Sequence, residues 1–479
     1  MRAPNARDTA LRVLVSCRTA GAWADAALRA QLRRDGLSGP EAALCSRIVY
    51  GVMQNRLLLD FYLGAYCSQK VDHLQPPLLE ILRIGAYQIL FLDKIPHSAA
   101  VNQAVEQAKD NGRAKAAGLV NAVLRQLSRN KVHLPRIPDQ DALHSLSIRY
   151  SHPKWLVKRL QAILGPETEA CLAADNAPAP LTIQVNPLKA AAEELTAELV
   201  ASGVIVRPHP WVSGCLELDH AGDLTALAPF RAGKFLVQDP AARLVSQIAG
   251  VEPGMRVLDV CAAPGGKSFS AAFAMEDQGE ILACDLHENK LKRIREGADR
   301  LGLACIRAEA ADGRTFRPEW EARFDVVLVD APCSGFGIIR KKPDVRYKKP
   351  DDLFALPVIQ RAILDNAARY VRPGGRIHIR CHNGISGLAY LRILLFVYQR
   401  NVPGTLYRHY AYKGTYHQCR RHGTDKRSAG LCNDIRTFRL PGNGYQRRCH
   451  CLCSSRSQFH SVLPHLYVYH RRPEKVWPE

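Results

Sequence analysis

The chain has 479 residues, and because one domain usually contains roughly 100–200 residues, we expect two to four domains. The composition excludes collagen-like and low-complexity proteins, since 47% of the residues are hydrophobic and only 33 are glycine. The formal net charge of +21 favours a polyanionic partner, such as a nucleic acid or an anionic membrane surface.

The positive charge is concentrated in the last fifth of the chain. Residues 376–479 contain 18 of the 66 Lys and Arg residues and only 4 of the 45 Asp and Glu residues, so they carry +14 of the net +21. The same segment holds 9 of the 17 His and 6 of the 15 Cys residues. The composition therefore changes near residue 376, and the total charge alone does not identify an RNA-binding surface.

Two observations concern the compartment. The segment Met1–Cys17 alternates charged and apolar residues, which is not typical of a signal peptide. No stretch approaches the roughly 18 consecutive apolar residues of a membrane span. We therefore expect a cytoplasmic protein with reduced thiols and no membrane association, and we expect it to be a monomer.

The first part of the chain has the periodicity of helices. Apolar residues follow the i, i+3, i+4, i+7 spacing in segments between residues 8 and 129, most clearly at 101–108. We predict an all-α domain over residues 1–130, in which Ser98 caps the helix that contains the stripe 101–108.

A different pattern follows over residues 131–235. A proline-bearing link at 134–138 ends the helical region, and helical and short extended segments are then mixed. Residues 181–186 alternate apolar and polar side chains, as a half-buried strand does. The pattern predicts a small α+β domain.

The third domain, residues 236–375, contains a strand, a glycine loop and a helix in succession. The apolar run 256–261 stops at the loop 262–268, after which a helical pattern begins. Such a loop lets backbone N–H groups approach a ligand at the start of a helix. A second strand, 280–284, ends at Asp285, whose carboxylate can accept both hydroxyls of a ribose. Together these features indicate an adenosine-containing cofactor.

The glycine loop matches neither GxGxxG nor GxxxxGK[ST], which weakens NAD and ATP as candidates and favours S-adenosylmethionine. Further along, Asp312 offers a carboxylate where the adenine edge would lie. The apolar strand 324–329 is followed by Asp330 and then by Cys333 in a Pro/Gly turn. A cysteine inside a buried strand is usually structural, but a position beyond the strand end favours a functional role.

Six basic residues follow Cys333. Either they contact an RNA backbone, which we favour, or they belong to a solvated surface loop. They are Arg340, Lys341, Lys342, Arg346, Lys348 and Lys349.

The motifs at 261–267, 285, 312 and 330–335 resemble those of the Sun family of RNA cytosine-5 methyltransferases. The runs 96–105 and 118–125 resemble NusB, an RNA-binding antitermination factor. The resemblance implies a Rossmann-like α/β methyltransferase domain that uses S-adenosylmethionine, with small-subunit ribosomal RNA as substrate and the middle domain helping to grip it. It also implies that the residues that bind the cofactor are Cys261, Ala262, Ala263, Pro264, Gly265, Gly266, Lys267, Asp285, Asp312 and Asp330.

The chemistry of this family requires cysteine. Carbon 5 of cytosine is a poor nucleophile, so a thiolate first adds to carbon 6 and activates the ring. Enzymes of the family use two cysteines, and the resemblance makes Cys333 the one that aids product release. The nucleophile is expected in a Thr-Cys motif after the fifth strand. Cys381 is the best available candidate, although it lies one residue early and Arg380 precedes it.

Beyond residue 375 the chain departs from the family. We expect a truncated or altered end of the methyltransferase domain and an atypical, basic, Cys- and His-rich tail over 376–479, for which our hypothesis is a shift of the reading frame. A genuine RNA-binding tail and a metal knuckle at 449–460 are the alternatives. The knuckle is disfavoured because alternating cysteines cannot all converge on one ion, so no metal site is expected.

Two other functions remain open. One is a protein that binds RNA and cofactor without turnover. The other is a NusB-type transcription or antitermination factor in which the methyltransferase fold is only a scaffold.

Overall fold

The computed structural model describes residues 4–379, 394–399, 407–412 and 466–470. They form two compact units. The helical unit contains the described residues up to Ala179 together with Gly335–Asp352, and the α/β unit contains Pro180–Ser334 and the described residues from Leu353 onward. Residues 335–352, which we call the insert, belong to the helical unit although the chain on both sides belongs to the α/β unit. The four-part domain division suggested by the sequence remains a prediction.

The helical unit confirms the predicted all-α domain and extends beyond it. Its α-helices are α1 (Ala6–Thr19), α2 (Ala24–Asp35), α3 (Gly39–Gln54), α4 (Arg56–Gly64), α5 (Pro76–Phe91), α6 (His97–Asp110), α7 (Ala117–Arg129), α8 (Ala142–Arg149), α9 (Lys154–Leu164) and α10 (Thr168–Asn176).

Helix α5 lies at the centre of the bundle. Twelve of its residues, from Leu78 to Ile89, are buried in succession, and a helix that is buried all round belongs to the interior of a core. Its two leading prolines occupy the first turn, where no intrahelical N–H bond is lost. A Cβ atom at Gly85 would lie 2.4 Å from Cδ1 of Leu124. The missing side chain therefore allows α7 to approach α5 closely.

The prediction that Ser98 caps α6 is wrong. Helix α6 begins at His97, one residue before Ser98, and its N-cap is Pro96, which provides no side-chain hydrogen bond. The carbonyl of Pro96 accepts the first helical hydrogen bond, from the amide of Ala100. Ser98 therefore already has helical geometry, whereas a capping serine must lie outside the helix.

A small antiparallel sheet opens the α/β unit and confirms the predicted α+β region. The extended segment expected at 181–186 is its strand β1, and the strand order is β2-β3-β1-β4. The elements of this region are β1 (Leu181–Val185), α11 (Ala192–Ala201), β2 (Ile205–Pro208), β3 (Cys215–Asp219), α12 (Ala228–Arg231) and β4 (Phe235–Val237).

Within the described ranges, a larger sheet of eight strands follows, in the order β12-β11-β10-β9-β8-β5-β6-β7. The elements are α13 (Pro240–Ile248), β5 (Arg256–Asp259), α14 (Gly266–Ala274), β6 (Glu280–Asp285), α15 (Glu288–Leu301), β7 (Ile306–Ala310), β8 (Phe324–Val329), α16 (Leu356–Tyr370), β9 (Val371–Ile379), β10 (Leu394–Gln399), β11 (Tyr407–Tyr412) and β12 (Leu466–His470). Strands β5 to β9 pair in parallel, whereas β9 to β12 pair antiparallel.

The strand order changes direction at β5. From β5 the chain proceeds outward through β6 and β7, then returns to the other side of β5 to form β8 and β9. Such a reversal opens a crevice beyond the carboxyl ends of the two central strands, where open α/β sheets bind their ligands. The loops that follow β5 and β8 therefore flank the expected binding crevice.

The parallel part of the sheet is covered by buried apolar side chains on both faces. One cluster includes Phe269 of α14 and Ile294 of α15. The other includes Ile363 of α16 together with Trp320. Because both faces are covered, the strands are continuous apolar runs, as the sequence at 256–261 and 324–329 suggested.

Candidate cofactor and catalytic site

The predicted functional residues of the α/β unit lie at the carboxyl ends of parallel strands. Asp259 at the end of β5 is in register with Ala283 of β6 and Leu328 of β8. Asp285 ends β6, and Asp330 directly follows β8. The strand order places all three aspartates along one edge of the sheet, at the switch point between β5 and β8.

The glycine loop after β5 is held by backbone hydrogen bonds to both neighbouring strands. The amide of Val260 donates to the carbonyl of Leu328 at 3.0 Å, and the amide of Ala262 donates to the carbonyl of Cys284 at 2.7 Å. Gly265, the N-cap of α14, has a φ of 107°, which favours glycine. A Cβ atom there would also lie 2.4 Å from the ring of Phe269. The loop is therefore a fixed, side-chain-poor surface at the start of a helix.

Asp259 is a buried acid at this site that the sequence analysis did not select. Only 1% of its surface is exposed. Its Oδ2 accepts a hydrogen bond from Ser268 Oγ at 2.7 Å, whereas its Oδ1 has no hydrogen-bond partner among the described residues. Burial raises the pKa of Asp259 to about 6, against the opposing effect of the nearby Lys267 ammonium. One sequence feature could have identified Asp259: it is an acidic residue at the end of an apolar strand, directly before the glycine loop.

The loops after β5 and β8 are joined by a charged pair. The ammonium of Lys267, in the first turn of α14, forms an ion pair with the carboxylate of Asp330. The Lys267 side chain is 12% exposed and that of Asp330 is 32% exposed. Partial burial reduces the screening of their attraction by water. The structure thus brings together two of the residues that the resemblance assigned to the cofactor site.

Asp285 is held in place from its own loop. Its Oδ1 accepts a hydrogen bond from the amide of His287 at 3.1 Å and lies 3.2 Å from the ammonium of Lys290. The residue is 7% exposed. These contacts fix the carboxylate at the end of β6, where it can accept hydrogen bonds from a sugar.

Cys261 is unsuited to be a nucleophile. It is half-buried in the glycine loop. Burial raises the pKa of its thiol to about 12, and the nearby carboxylates of Asp259, Asp285 and Asp330 act in the same direction. A thiol in such surroundings stays protonated at neutral pH and is unreactive. Cys261 can therefore line a pocket but not add to a base.

Asp312 follows β7 and is engaged by a neighbouring arginine. The guanidinium of Arg314 binds both carboxylate oxygens, with Nη2 2.7 Å from Oδ2 and Nε 2.9 Å from Oδ1. These hydrogen bonds hold the pKa of Asp312 below its usual value. Its carboxylate therefore stays ionised, and a ligand would meet the Asp312–Arg314 pair.

Cys333 lies in the loop after β8 and is half-buried. The side chain of Gln360, on α16, donates a hydrogen bond to the carbonyl of the preceding Pro332 at 2.8 Å. The loop is therefore tied to the helix that follows it in the α/β unit. Cys381, the predicted nucleophile, lies outside the described residues.

Arg346 does not contact RNA as the sequence analysis predicted for the basic residues after Cys333. It is 0% exposed and packs inside the helical unit. The prediction is wrong for this residue because its guanidinium is used by backbone carbonyls of that unit. Lys342 also has a partner there, since its ammonium lies 3.5 Å from Asp25 Oδ2.

The start of α14 is further supported by two buried glutamines that the sequence analysis missed. Gln238 donates a hydrogen bond from Nε2 to the carbonyl of Gly266 at 2.8 Å. Ser270 Oγ, one turn later on α14, lies 2.6 Å from Gln184 Oε1 and 2.8 Å from Gln238 Oε1. Because Gln184 belongs to β1, the small sheet helps to fix the glycine loop.

In the part of the chain that the structure describes, no helix has the length and apolar character needed to cross a membrane. Within the same residues, no cluster of three or more His, Cys, Asp or Glu side chains could hold a metal ion.

Three family models match the chain. Residues 4–129 match the NusB family, residues 152–225 match the ferredoxin-like domain of RsmF/B-like methyltransferases, and residues 247–381 match the 16S rRNA methyltransferase RsmB/F. The order of the three matches agrees with the helical, α+β and Rossmann-like regions described above.

Known proteins resemble the chain over most of its length. The probable ribosomal RNA small subunit methyltransferase B of Bacillus subtilis is 38% identical over 387 residues, which are 79% of this chain and 84% of the relative. The ribosomal RNA small subunit methyltransferase B of Vibrio cholerae serotype O1 is 34% identical over 70% of this chain and 76% of its own. The crystal structure of PH0851 superposes with a TM-score of 0.65 at 28% identity, covering 80% of this chain and 86% of that one.

These matches confirm the resemblance, the fold class and S-adenosylmethionine as the cofactor that the motifs predicted. The chain belongs to the RsmB/F family of 16S rRNA methyltransferases.

Proposed function

We propose that this chain transfers a methyl group from S-adenosylmethionine to carbon 5 of a cytosine in small-subunit ribosomal RNA. The observation that carries the proposal is the arrangement at the switch point. There the glycine loop, Asp285 and the loop of Cys333 follow the adjacent strands β5, β6 and β8. The relatives from Bacillus subtilis and Vibrio cholerae are named as small-subunit ribosomal RNA methyltransferases, which supports the substrate class.

The residues present fit the cofactor. Gly265 leaves space that a Cβ atom would occupy, and the buried Oδ1 of Asp259 is available to a hydrogen-bond donor. We assign the loop 261–267 to the wall of the pocket and Asp285 to the ribose hydroxyls. Asp312 and Asp330 flank the adenine and methionine parts. Bound S-adenosylmethionine supplies a methyl group on a positively charged sulfur.

The proposed role of the cysteines follows from the electron demand of cytosine. A thiolate, assigned to Cys381, adds to carbon 6 and makes carbon 5 nucleophilic enough to accept the methyl group. The proton on carbon 5 then leaves to a base, the bond between sulfur and carbon 6 breaks, and its electron pair returns to sulfur. Cys333 assists this elimination. The target base must be unpaired or turned out of its stack to reach the site.

The decisive experiment is transfer of a labelled methyl group from S-adenosylmethionine to unmethylated small-subunit ribosomal RNA, followed by mapping of the modified base. We expect label on carbon 5 of a cytosine. RNA binding without incorporation would contradict the proposal and support a binding protein instead. Label on another base or atom would also contradict it.

Neither a binding protein without turnover nor a NusB-type transcription factor is favoured by a specific observation in the part of the chain that the structure describes.

We further propose that the chain beyond about residue 375 results from a shifted reading frame. The match to the 16S rRNA methyltransferase model ends at residue 381, close to the change in composition. Nucleotide sequencing of codons 370–385 from independent clones tests the proposal. An intact frame would exclude the shift and leave a genuine basic tail as the explanation.

We also propose that the protein acts in the cytoplasm as a monomer, in contact with ribosomal RNA. Sedimentation of the purified chain, with and without small-subunit RNA, tests the oligomeric state. A stable dimer of the free protein would contradict the monomer.

A further inference from the structure

A tryptophan in the short connection between α1 and α2 is exposed to solvent. Trp23 is 52% exposed, whereas tryptophan side chains are highly buried on average. The carbonyl of Trp23 accepts a hydrogen bond from the amide of Ala27 at 3.0 Å. The amide of the next residue, Ala24, donates a hydrogen bond to Asp344 Oδ2 at 3.1 Å. The backbone on both sides of the indole is therefore fixed within the helical unit.

A lysine of the insert lies over this ring. The Nζ atom of Lys348 is 4.9 Å from the centroid of the Trp23 ring, a distance at which the face of an indole attracts a cation. Lys348 follows Arg346 and Tyr347, whose side chains donate hydrogen bonds to backbone carbonyls of the helical unit. Its own amide donates to the carbonyl of Val345 at 3.2 Å. The indole and the ammonium are thus held together before any ligand binds.

Two acidic residues near the indole have partners of their own. Asp25 forms ion pairs with Arg29 at 2.6 Å and with Lys342 at 3.5 Å. Asp344 accepts the hydrogen bond from the start of α2. These partners offset the repulsion that the two carboxylates would exert on a phosphate. The insert as a whole contains six basic and three acidic residues, so its formal net charge is +3.

An aromatic face beside an ammonium suits one nucleotide of unpaired RNA. Unstacked bases bind to aromatic side chains by stacking, and lysine side chains bind the phosphates of the backbone. A base inside a duplex is already stacked between its neighbours and cannot use an indole in this way. A polyanion with unpaired bases is therefore the partner that this pair of side chains fits.

We propose that Trp23 and Lys348 form a platform that binds an unpaired nucleotide of RNA, an inference that rests on the proposed function for its substrate class. The base stacks on the indole face opposite the ammonium, and Lys348 contacts a neighbouring phosphate. The platform gives RNA contact to one of the basic residues for which the sequence predicted it. It adds an aromatic residue from the start of the chain, which the fold brings beside that lysine.

The stacking is tested with the full-length protein, a single-stranded oligoadenylate and an RNA duplex. Trp23→Ala should weaken binding of the single strand by about tenfold and leave binding of the duplex unchanged, whereas Trp23→Phe should keep most of the affinity. The control is Phe91→Ala, because Phe91 is a partly exposed aromatic residue of the same unit whose ring stacks on Tyr87. Unchanged affinity in Trp23→Ala, or an equal loss in Phe91→Ala, would overturn the inference.

The phosphate contact is tested by the dependence of the same affinity on salt. Lys348→Met should make the slope of log affinity against log salt concentration shallower by about 0.7, as expected for one phosphate contact on a single strand. Trp23→Ala should leave the slope unchanged. The control is Lys109→Met, since the ammonium of Lys109 is paired with Glu106 at 2.8 Å. An unaltered slope in Lys348→Met would contradict the role of the lysine.

Methyl transfer to small-subunit ribosomal RNA is measured separately on the same variants. Oligonucleotide binding that depends on Trp23, in a protein that transfers no methyl group, would support the platform and contradict only the proposed function. Self-association of the chain that Trp23→Ala abolishes, with RNA affinity unchanged, would identify a protein-binding surface and overturn the platform.

Discussion

The ion pair between Lys267 and Asp330 joins the two loops that flank the switch point of the sheet. Lys267 begins α14 after the glycine loop, and Asp330 leads into the loop that contains Cys333. The pair therefore connects the segment that we assign to the cofactor with the segment that we assign to product release. Because one partner is positive and the other negative, the pair adds no net charge to the crevice.

Removing the ammonium tests this connection. Lys267→Met leaves the Asp330 carboxylate partly buried without its partner, and loss of one member of such a pair typically costs about 2–5 kcal/mol. We expect methyl transfer to fall on the order of 100-fold, as measured with saturating RNA.

The control is Lys292→Met on the exposed face of α15, where the ammonium lies 3.8 Å from Glu296. An exposed pair of this kind contributes little, so activity should change less than about twofold. Full activity in Lys267→Met would show that the pair is not needed for the reaction.

Asp259 predicts a specific dependence of stability on pH. Burial raises its pKa from 3.8 to about 6 in the folded state, so the folded protein binds a proton more tightly than the unfolded chain does. Protonation of Asp259 therefore contributes to the free energy of unfolding. This contribution is complete below pH 3.8 and is lost as pH rises through about 6. The shift corresponds to roughly 3 kcal/mol. As pH rises from 3.8 to about 6, the unmodified protein should therefore lose stability while Asp259→Asn does not. The difference in the free energy of unfolding, measured with urea, should grow in favour of the variant.

Asp277 provides a control of opposite sign. Burial would raise its pKa, but hydrogen bonds from the amides of Cys305 and Ala304 outweigh burial and lower it. Its contribution is present above the ordinary carboxyl pKa and is lost as pH falls. Asp277→Asn should lose stability relative to the unmodified protein as pH rises through that range. Parallel pH profiles for the two variants would contradict the assigned burial of Asp259.

The sequence predicted the features that depend on neighbouring residues. Strands β5, β6 and β8 were expected at 256, 280 and 324 because each is a short apolar run that ends at a loop with functional side chains. The glycine loop was also expected, because residues 262–268 lie between an apolar run and a helical pattern. Its neighbours Asp259 and Ser268 lie nine positions apart, but their hydrogen bond depends on how the loop folds back.

The features that the sequence could not predict depend on distant residues. Arg346 looked like one of six similar basic residues, and its burial arises only when the ends of α3, α8 and α10 meet. The acceptors belong to residues 54, 150 and 176, and no local pattern links them to position 346. The same reason explains why Gln184 of β1 was not recognised as a support for α14.

The two assigned cysteines should give opposite results when replaced. Cys381→Ala removes the proposed nucleophile, so neither methyl transfer nor a covalent adduct should be detected. Cys333→Ala leaves the nucleophile but impairs elimination, so a denaturant-resistant protein–RNA band should accumulate in the presence of cofactor. Electrophoresis of labelled RNA after denaturation distinguishes the two.

Cys284→Ala is the control for loss of a thiol at the same sheet. Cys284 is fully buried, and burial raises its pKa above the range of a reactive thiol. We expect neither an adduct nor a loss of transfer beyond what reduced stability causes. Retained activity in Cys381→Ala would remove that residue from the role of nucleophile.

Gly265 in the glycine loop can be compared with Gly254, which precedes β5 and has a similar backbone conformation. Gly265 and Gly254 both have positive φ angles, 107° and 84°, so alanine strains either site by roughly 1–2 kcal/mol. Only at Gly265 would the added Cβ meet Phe269, whose ring also lies against Gly297 and cannot move away freely. Among the residues that the structure describes, nothing lies within 4 Å of a Cβ at Gly254.

Gly265→Ala should therefore displace the loop and weaken binding of S-adenosylmethionine by about tenfold, equivalent to about 1.4 kcal/mol, as measured by calorimetry. Gly254→Ala should lower the unfolding temperature through backbone strain alone and leave the affinity unchanged, because the residue precedes β5 and lies away from its carboxyl end. An affinity that is unchanged in both variants would mean that the cofactor does not contact the loop at 261–267. Equal losses would mean that strain anywhere near β5, rather than the shape of the loop, controls binding.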